Sequence, residues 1–329
     1  GVIRGGQCEG RTFMRSDNVF SLVSAIMDSQ NHNNSIEYMN EKGWVGRDIG
    51  QGSGGQSGRK ALRLLETANE VTGALWNPEQ ADIDLIQAMV EEFDTSMQSF
   101  KADEADFMRM GWRENSGRVH AGRLLAGSER YRRKRIRKKK KDGRAVRIVV
   151  DIGQNSDVDK AKGFMRAAAG MACAKFLESR NVSVELWAYE GAGGLFQDHG
   201  DNGQNKDHSS IWCVKDSKTR INMTTVASAM STWFFRTFIF QSFHSQVADG
   251  RKPTSSLGRS LAPEKEEIAT ILGSEKSYIL SASLTGSAEQ CKESAMQAGR
   301  MIIEEAMQET FAGMGSNRWN NTDMYCDLD

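Results

Sequence analysis

A chain of 329 residues has room for one large domain or two ordinary ones, so it can bury a core without disulfide or metal staples. Its 43 basic and 43 acidic side chains cancel to zero, which excludes a globally basic or acidic protein and moves attention to where the charges lie. The five cysteines (Cys8, Cys173, Cys213, Cys291, Cys326) are scattered, odd in number and without a CxxC pair, which excludes a disulfide framework and a zinc knuckle.

A reducing, cytoplasmic setting is therefore expected. No apolar stretch approaches the roughly 20 residues that span a bilayer, and the aromatic run Trp233 to Phe240 is interrupted by Arg236, so no membrane partner is expected. The start at Gly1 lacks a charged segment followed by an apolar one, and no signal peptide is expected.

Residues 1–127 read as a helical region around a glycine-rich loop. Ser16 or Asp17 is placed to cap a helix with Val19, Phe20, Val23, Ile26 and Met27 on one face. Arg59 to Thr72 repeats that spacing. Asn77 before Pro78, with Gln80 three residues after the cap, starts a helix through Ile83, Ile86, Met89, Val90 and Phe93. Gly43 to Gly58 contains a formal GxGxxG at Gly50, Gly52 and Gly55. No strand precedes it, so it reads as a loop and not as a dinucleotide site. The nearby Gly58, Arg59, Lys60 and Ala61 lack the glycine and hydroxyl of a P-loop.

Residues 128–144 are a basic linker. Arg130, Arg132, Arg133, Lys134, Arg135, Arg137, Lys138, Lys139, Lys140, Lys141 and Arg144 accompany Tyr131. Like charges repel along a helix or strand, so the run should stay extended until an anion neutralises it. That anion is either a nucleic acid or the chain's own acidic surface (Glu91, Glu92, Asp94, Asp103, Glu104, Asp106).

From Ala145 the pattern becomes α/β. Ala145 to Ile152 is β-branched and apolar, as a buried strand is. Ser156 or Asp157 opens a helix with Phe164, Ala168, Ala172 and Phe176 in four-residue steps. Val182 to Tyr189 is a second strand, and the strand-helix-strand unit implies a parallel crossover. Ser210 to Lys215, with its apolar stretch Ile211 to Val214, suits a third strand, expected at an edge. Met223 to Val247 reads as one long aromatic helix, with Trp233, Phe234, Phe235, Phe238, Phe240 and Phe243. A short acidic helix near Glu264 to Leu272, a fourth strand over Ser277 to Leu284, and a last helix opened by Gly286 and Ser287 follow. Residues 312–329 read as a flexible tail.

The element order, starting from a strand that ends in Asp151, resembles a von Willebrand A domain over 145–311. The run VRIVVDIGQNSDVD, a small-residue helix, VELWAYEG and a late aromatic helix resemble an uncharacterised phage-type family with such a Rossmann-like core. A phage origin would place the protein in the host cytoplasm. In the metal-binding members of the von Willebrand class a DxSxS motif holds a divalent cation. The matching positions here are Asp151, Gly153 and Asn155, and Leu284, Thr285 and Gly286 stand where a carboxylate is expected. Asp151, Asn155 and Ser156, with Thr224 or Thr225, make a poor oxygen cage, so no metal is expected.

The loop from Leu195 to His208 carries Asp198, His199, Asp201, Asp207 and His208 but lacks EF-hand spacing, and reads as polar and disordered. Neither a GxSxG elbow nor a triad can be assembled around His32, His120, His199, His208 and His244. No catalytic residue and no cofactor are expected. The reading is a non-enzymatic scaffold that holds a protein partner at the carboxyl ends of the strands, where Asp151 to Asp157 should lie. The alternative is a nucleic-acid-associated protein that grips phosphates through 130–144, with Tyr131 stacked on a base.

Overall fold

A computed structural model describes residues 3–8, 11–27, 68–97, 108–113, 118–119, 125, 132–137, 145–155, 158–180, 182–197, 205–232, 234–239, 252–253, 259–273 and 276–315. The architecture is α/β, with a mixed sheet flanked by helices. Its strands are β1 (Ile3–Cys8), β2 (Arg11–Ser16), β6 (Val146–Asp151), β7 (Val184–Gln197), β8 (Asn205–Lys215) and β11 (Ser277–Leu280), in the order β1-β2-β8-β7-β6-β11. The short β9 (Lys252–Pro253) and β10 (Arg259–Ser260) also pair with β7. A separate sheet joins β3 (Met108–Arg113), β5 (Arg132–Arg137) and β4 (Arg118–Val119) in the order β3-β5-β4.

The expected crossover is present. β6 pairs in parallel with β7, in register Val146 to Val184, and in parallel with β11. Between β6 and β7 runs α4 (Lys160–Ser179), capped by the Asp159 carboxylate, which accepts from the Lys162 N–H at 2.9 Å. The expected caps, Ser156 and Asp157, lie outside the described residues. Every residue of α4 from Gly163 to Ala174 is buried. A helix apolar on all sides must be covered on all sides. The sheet covers one side; α3 (Gln80–Ser96) and α7 (Ala288–Gly315) cover the other. Phe93 of α3 meets Phe176 edge to face at 6.3 Å, and Gly299 of α7 leaves the space that Phe93 fills.

Several expectations change. Residues 1–127 read as a helical region, yet Ile3–Cys8 and Arg11–Ser16 are strands: β1 and β2 form an antiparallel hairpin, and β2 joins β8 in parallel. β8 is thus interior, between β2 and β7, and not the edge expected of Ser210 to Lys215. Of the polar run before it, Asp207 and His208 belong to β8, and Asp198 to Gln204 lie outside the described residues. The helix after Ser16 is α1 (Val19–Met27), and it is Asn18 whose side chain accepts from the Phe20 and Ser21 N–H groups. Asn77 does not cap α3. Its side chain donates back to the Gly73 carbonyl at 2.7 Å, closing α2 (Ala68–Leu75), and α3 starts at Gln80.

The aromatic helix is also shorter than its period implied. α5 (Met223–Ala229) ends at Met230, and a π-helical turn follows over Phe234–Ile239. Its rings are core: Phe234 lies 5.8 Å from Trp212 and 5.1 Å from Phe238, all buried. Trp233, Phe240 and Phe243 lie outside the described residues, as does the glycine-rich loop 43–58.

On the second face of the sheet sits α6 (Lys265–Leu272), ended by Gly273 at φ 94°, a conformation that suits glycine. Among the described residues no helix is long and apolar enough to cross a membrane.

Gly170 of α4 packs tightly on Val150 of β6, where a Cβ would strike the valine side chain. Replacing Gly170 by Val should overpack this contact and destabilise the fold by about 1–3 kcal/mol, seen as a lower urea midpoint at unchanged slope. A wild-type midpoint would show that the helix can slide.

Candidate functional site

Two arrangements of charge stand out. The first lies where β6 and β11 end, beside the middle of β7. Asp151, the last residue of β6, is buried, and its Oδ2 accepts from Arg166 Nη1 of α4 at 2.5 Å and from the Ser281 hydroxyl at 3.0 Å. Its Oδ1 accepts from the Gly153 N–H at 3.1 Å. Arg166 Nη2 donates to the Gly153 carbonyl. One guanidinium thus bridges a carboxylate and a strand-end carbonyl with two of its fixed donors. Burial pushes the Asp151 carboxyl up and the Arg166 guanidinium down, and their mutual attraction opposes both shifts.

Glu190 of β7 completes this cluster. It is fully buried, and its Oε2 has no hydrogen-bond partner among the described residues. Burial first, and the Asp151 charge second, hold its carboxyl well above the ordinary value of 4.5. Gln154 is likewise buried. Its amide donates toward the Thr232 hydroxyl at 3.4 Å, while its Oε1 is unpaired among the described residues.

The expected metal candidates therefore separate. Asp151 has a cation already, supplied by Arg166. The Asn155 side chain accepts from the Ser260 N–H at 2.9 Å, and Ser156 lies outside the described residues. Thr225 sits in α5 with a buried hydroxyl that has no partner among the described residues. No group of three His, Cys, Asp or Glu side chains able to hold a metal occurs among the described residues.

A Ser-His chain does exist. His208 Nδ1 lies 2.8 Å from the Thr12 hydroxyl and its Nε2 lies 3.2 Å from that of Ser210. All three residues are buried, so this chain links β2 to β8 and offers no exposed nucleophile.

The second arrangement is the three-stranded sheet. Of the twelve residues named in the basic run, Arg132, Arg133, Lys134, Arg135 and Arg137 fall in β5. Arg130, Tyr131, Lys138, Lys139, Lys140, Lys141 and Arg144 lie outside the described residues. The expectation that repulsion keeps the run out of a strand does not hold for 132–137. β5 is the central strand, with Met108 opposite Arg137, Met110 opposite Arg135, Trp112 opposite Arg133, and Arg118 of β4 also opposite Arg133. Opposite residues share a face. One face thus carries Arg118, Arg133, Arg135 and Arg137 with Met108, Met110 and Trp112. The other carries Arg109, Arg113, Arg132 and Lys134 with Ile136 and Val119.

Three of the acids offered as a counter-charge have partners within the α/β body. Glu92 pairs with Arg300 at 3.0 Å and with Lys292 at 3.4 Å; Asp94 pairs with Arg180 at 3.1 Å; Glu91 accepts from Gln87. Asp103, Glu104 and Asp106 lie outside the described residues. These ion pairs tie α3 to α4 and α7 instead.

Sequence reasoning missed Arg166, Glu190 and Ser281. A signal existed for two of them: Arg166 is a lone cation inside FMRAAAG, and Glu190 is an acid that closes the apolar run LWAY. A charge in an apolar run has to find a partner or stay neutral. A family model described as a domain of unknown function (DUF7192) matches residues 84–308. No curated protein and no solved structure matches the chain.

Replacing Arg166 by Met should cost about 3–5 kcal/mol in denaturant unfolding, because the Asp151 carboxylate is left buried and uncompensated. Changing Asp151 to Asn in the same chain should recover much of that loss, and strict additivity of the two changes would show the pair to be uncoupled.

Glu190 makes a pH prediction. In the folded chain its carboxyl keeps the proton above pH 4.5, while the unfolded chain releases it from there upward. The unfolded state then binds fewer protons, so this group's contribution to stability falls as pH rises from 4.5 toward the folded value. Glu190→Gln removes the loss. Its melting temperature should gain on the wild type as pH rises above 4.5, and parallel curves would contradict the assignment.

Proposed function

The chain belongs to the DUF7192 family, a domain family of unknown function, and from its own geometry we propose that it is a non-enzymatic nucleic-acid-associated protein. The basic sheet is the binding element, and the α/β body is the frame that carries it. The observation behind this reading is the register of β5 between β3 and β4. Arg or Lys takes eight of the fourteen strand positions, none is acidic, and each face receives four cations.

A sheet normally buries one face in a core. Here either face would carry four cations into it, and burying unpaired charge is costly. An external polyanion removes that cost, because each phosphate neutralises a cation and releases condensed counterions. Glu92 and Asp94 already have cations in Arg300, Lys292 and Arg180, which leaves these two acids less available to the basic sheet. Lys138 to Lys141 and Arg144 extend the same charge along the chain.

We read the α/β body as von Willebrand A-like, with Arg166 supplying the positive charge at Asp151 that a divalent cation supplies in the metal-binding members. A protein-holding scaffold is the second reading. It is favoured by the exposed Asn155, Ser281, Ser283 and Thr285 gathered beyond β6 and β11, where open α/β sheets present ligands.

A salt titration separates the two. With about six phosphate contacts, log affinity for random duplex DNA should fall with log salt at a slope near −5. Changing Arg133, Arg135 and Arg137 together to Gln should flatten the slope by about 3. Absence of binding at low salt, or an unchanged slope in the variant, would remove the nucleic-acid reading and leave the scaffold.

A further inference from the structure

We propose that the face of the basic sheet holding Trp112 takes single-stranded nucleic acid, an inference that rests on the phosphate-binding reading above and narrows it to one class of polymer. The two faces are alike in charge and unlike in everything else. Beside its four arginines the first face has Met108, Met110 and Trp112 at successive same-face positions of β3. The second has Ile136 and Val119, with Gly111 at the centre of its β3 row.

Positions two apart on a strand repeat at about 6.8 Å, so this face is a row of Met, Met and Trp beside a row of Arg, Arg and Arg. A backbone needs only the second row. Duplex DNA presents phosphates outward and keeps its bases stacked on one another, which leaves a tryptophan beside the arginines without a partner. An unpaired base offers a flat π-face, and stacking on an aromatic side chain is what sequence-tolerant single-strand binders combine with a cationic track. Trp112 is opposite Arg133, which is also opposite Arg118. The one aromatic position on this face therefore lies next to Arg133, the residue at which all three strands pair, with Arg118 on the far side of that arginine.

Width argues the same way. The major groove, about 12 Å wide, admits a helix or a two-stranded ribbon. Where β4 adds its pair, the outer strands are already two spacings of about 4.8 Å apart before any side chain is counted. A flexible single strand can lie across such a surface and needs no groove.

The test uses the full chain with labelled oligo-dT, oligo-U and a blunt duplex at low salt, and two variants, Trp112→Leu and Trp112→Phe. Both variants keep an apolar residue at the position, and only Phe keeps a π-face. The intact protein should prefer the single strands. Trp112→Leu should bind them about five- to a hundredfold more weakly with little change on duplex, and Trp112→Phe should stay close to wild type. Comparison of oligo-dT with oligo-U reports which sugar is favoured. Equal affinity for duplex and single strand with an indifferent Trp112→Leu variant overturns this inference and leaves the phosphate reading standing. A Phe variant as weak as the Leu variant also overturns it, since packing would then be the role of Trp112. No binding to any of the three overturns both.

Discussion

The fold depends on the need to cover α4 on every side. Its run from Phe164 to Leu177 has almost no polar stripe, so no single neighbour can satisfy it. Small residues make the enclosure close: Gly163, Ala167, Ala168, Ala169, Gly170, Ala172 and Ala174 let the sheet and two helices approach its axis. The consequence is long-range. α3 comes from before the basic run and α7 from near the end of the described chain, and both must arrive before α4 is dry. Arg166 is the one full charge inside this enclosure, and the end of β6 is where Asp151 meets it.

The sheet's other face is held by polar chemistry. Glu267 of α6 is buried and accepts from Tyr189 at 2.9 Å, from Ser209 at 2.6 Å and from Arg11 at 3.0 Å. The C-terminal carbonyls of the same helix receive arginines: Ile271 from Arg15 at 2.7 Å and Leu272 from Arg147 at 3.4 Å. Arg15 also lies over the Trp187 ring at 5.2 Å. Two of these cations come from β2. The hairpin at the start of the described chain is thereby bonded to a helix more than 240 residues later, which explains why an unremarkable stretch, RTFMRS, becomes a strand.

Charge is partitioned between these tasks. Acids of the α/β body serve its own cations, as in Lys215 with Glu178, Lys276 with Glu305 and Glu309, and Arg300 with Glu92. The basic sheet has no acid in its strands, so a net charge of zero conceals a strongly polar distribution. Under the proposed reading, that separation leaves the cations to meet an anion that is not part of the body.

By itself the sequence determined the local elements whose signal is periodic and undiluted. Val146–Asp151 is a β-branched apolar run, Lys160–Ser179 steps in fours, Lys265–Leu272 follows its acidic cap, and Ala288–Gly315 follows Gly286 and Ser287. It also showed the basic run. Only the tertiary structure decided which of these elements were neighbours. β8 looks like an edge until β2, nearly 200 residues earlier, pairs with it. Arg132–Arg137 looks like a linker until Met108–Arg113 supplies the ladder that offsets its repulsion. Asp151 looks like half of a metal site until the crossover helix, fifteen residues on, delivers Arg166 to it. The physical reason is the same each time. Periodicity reports which face of a segment is apolar, whereas pairing and charge compensation depend on residues that only the closed chain brings within hydrogen-bond reach.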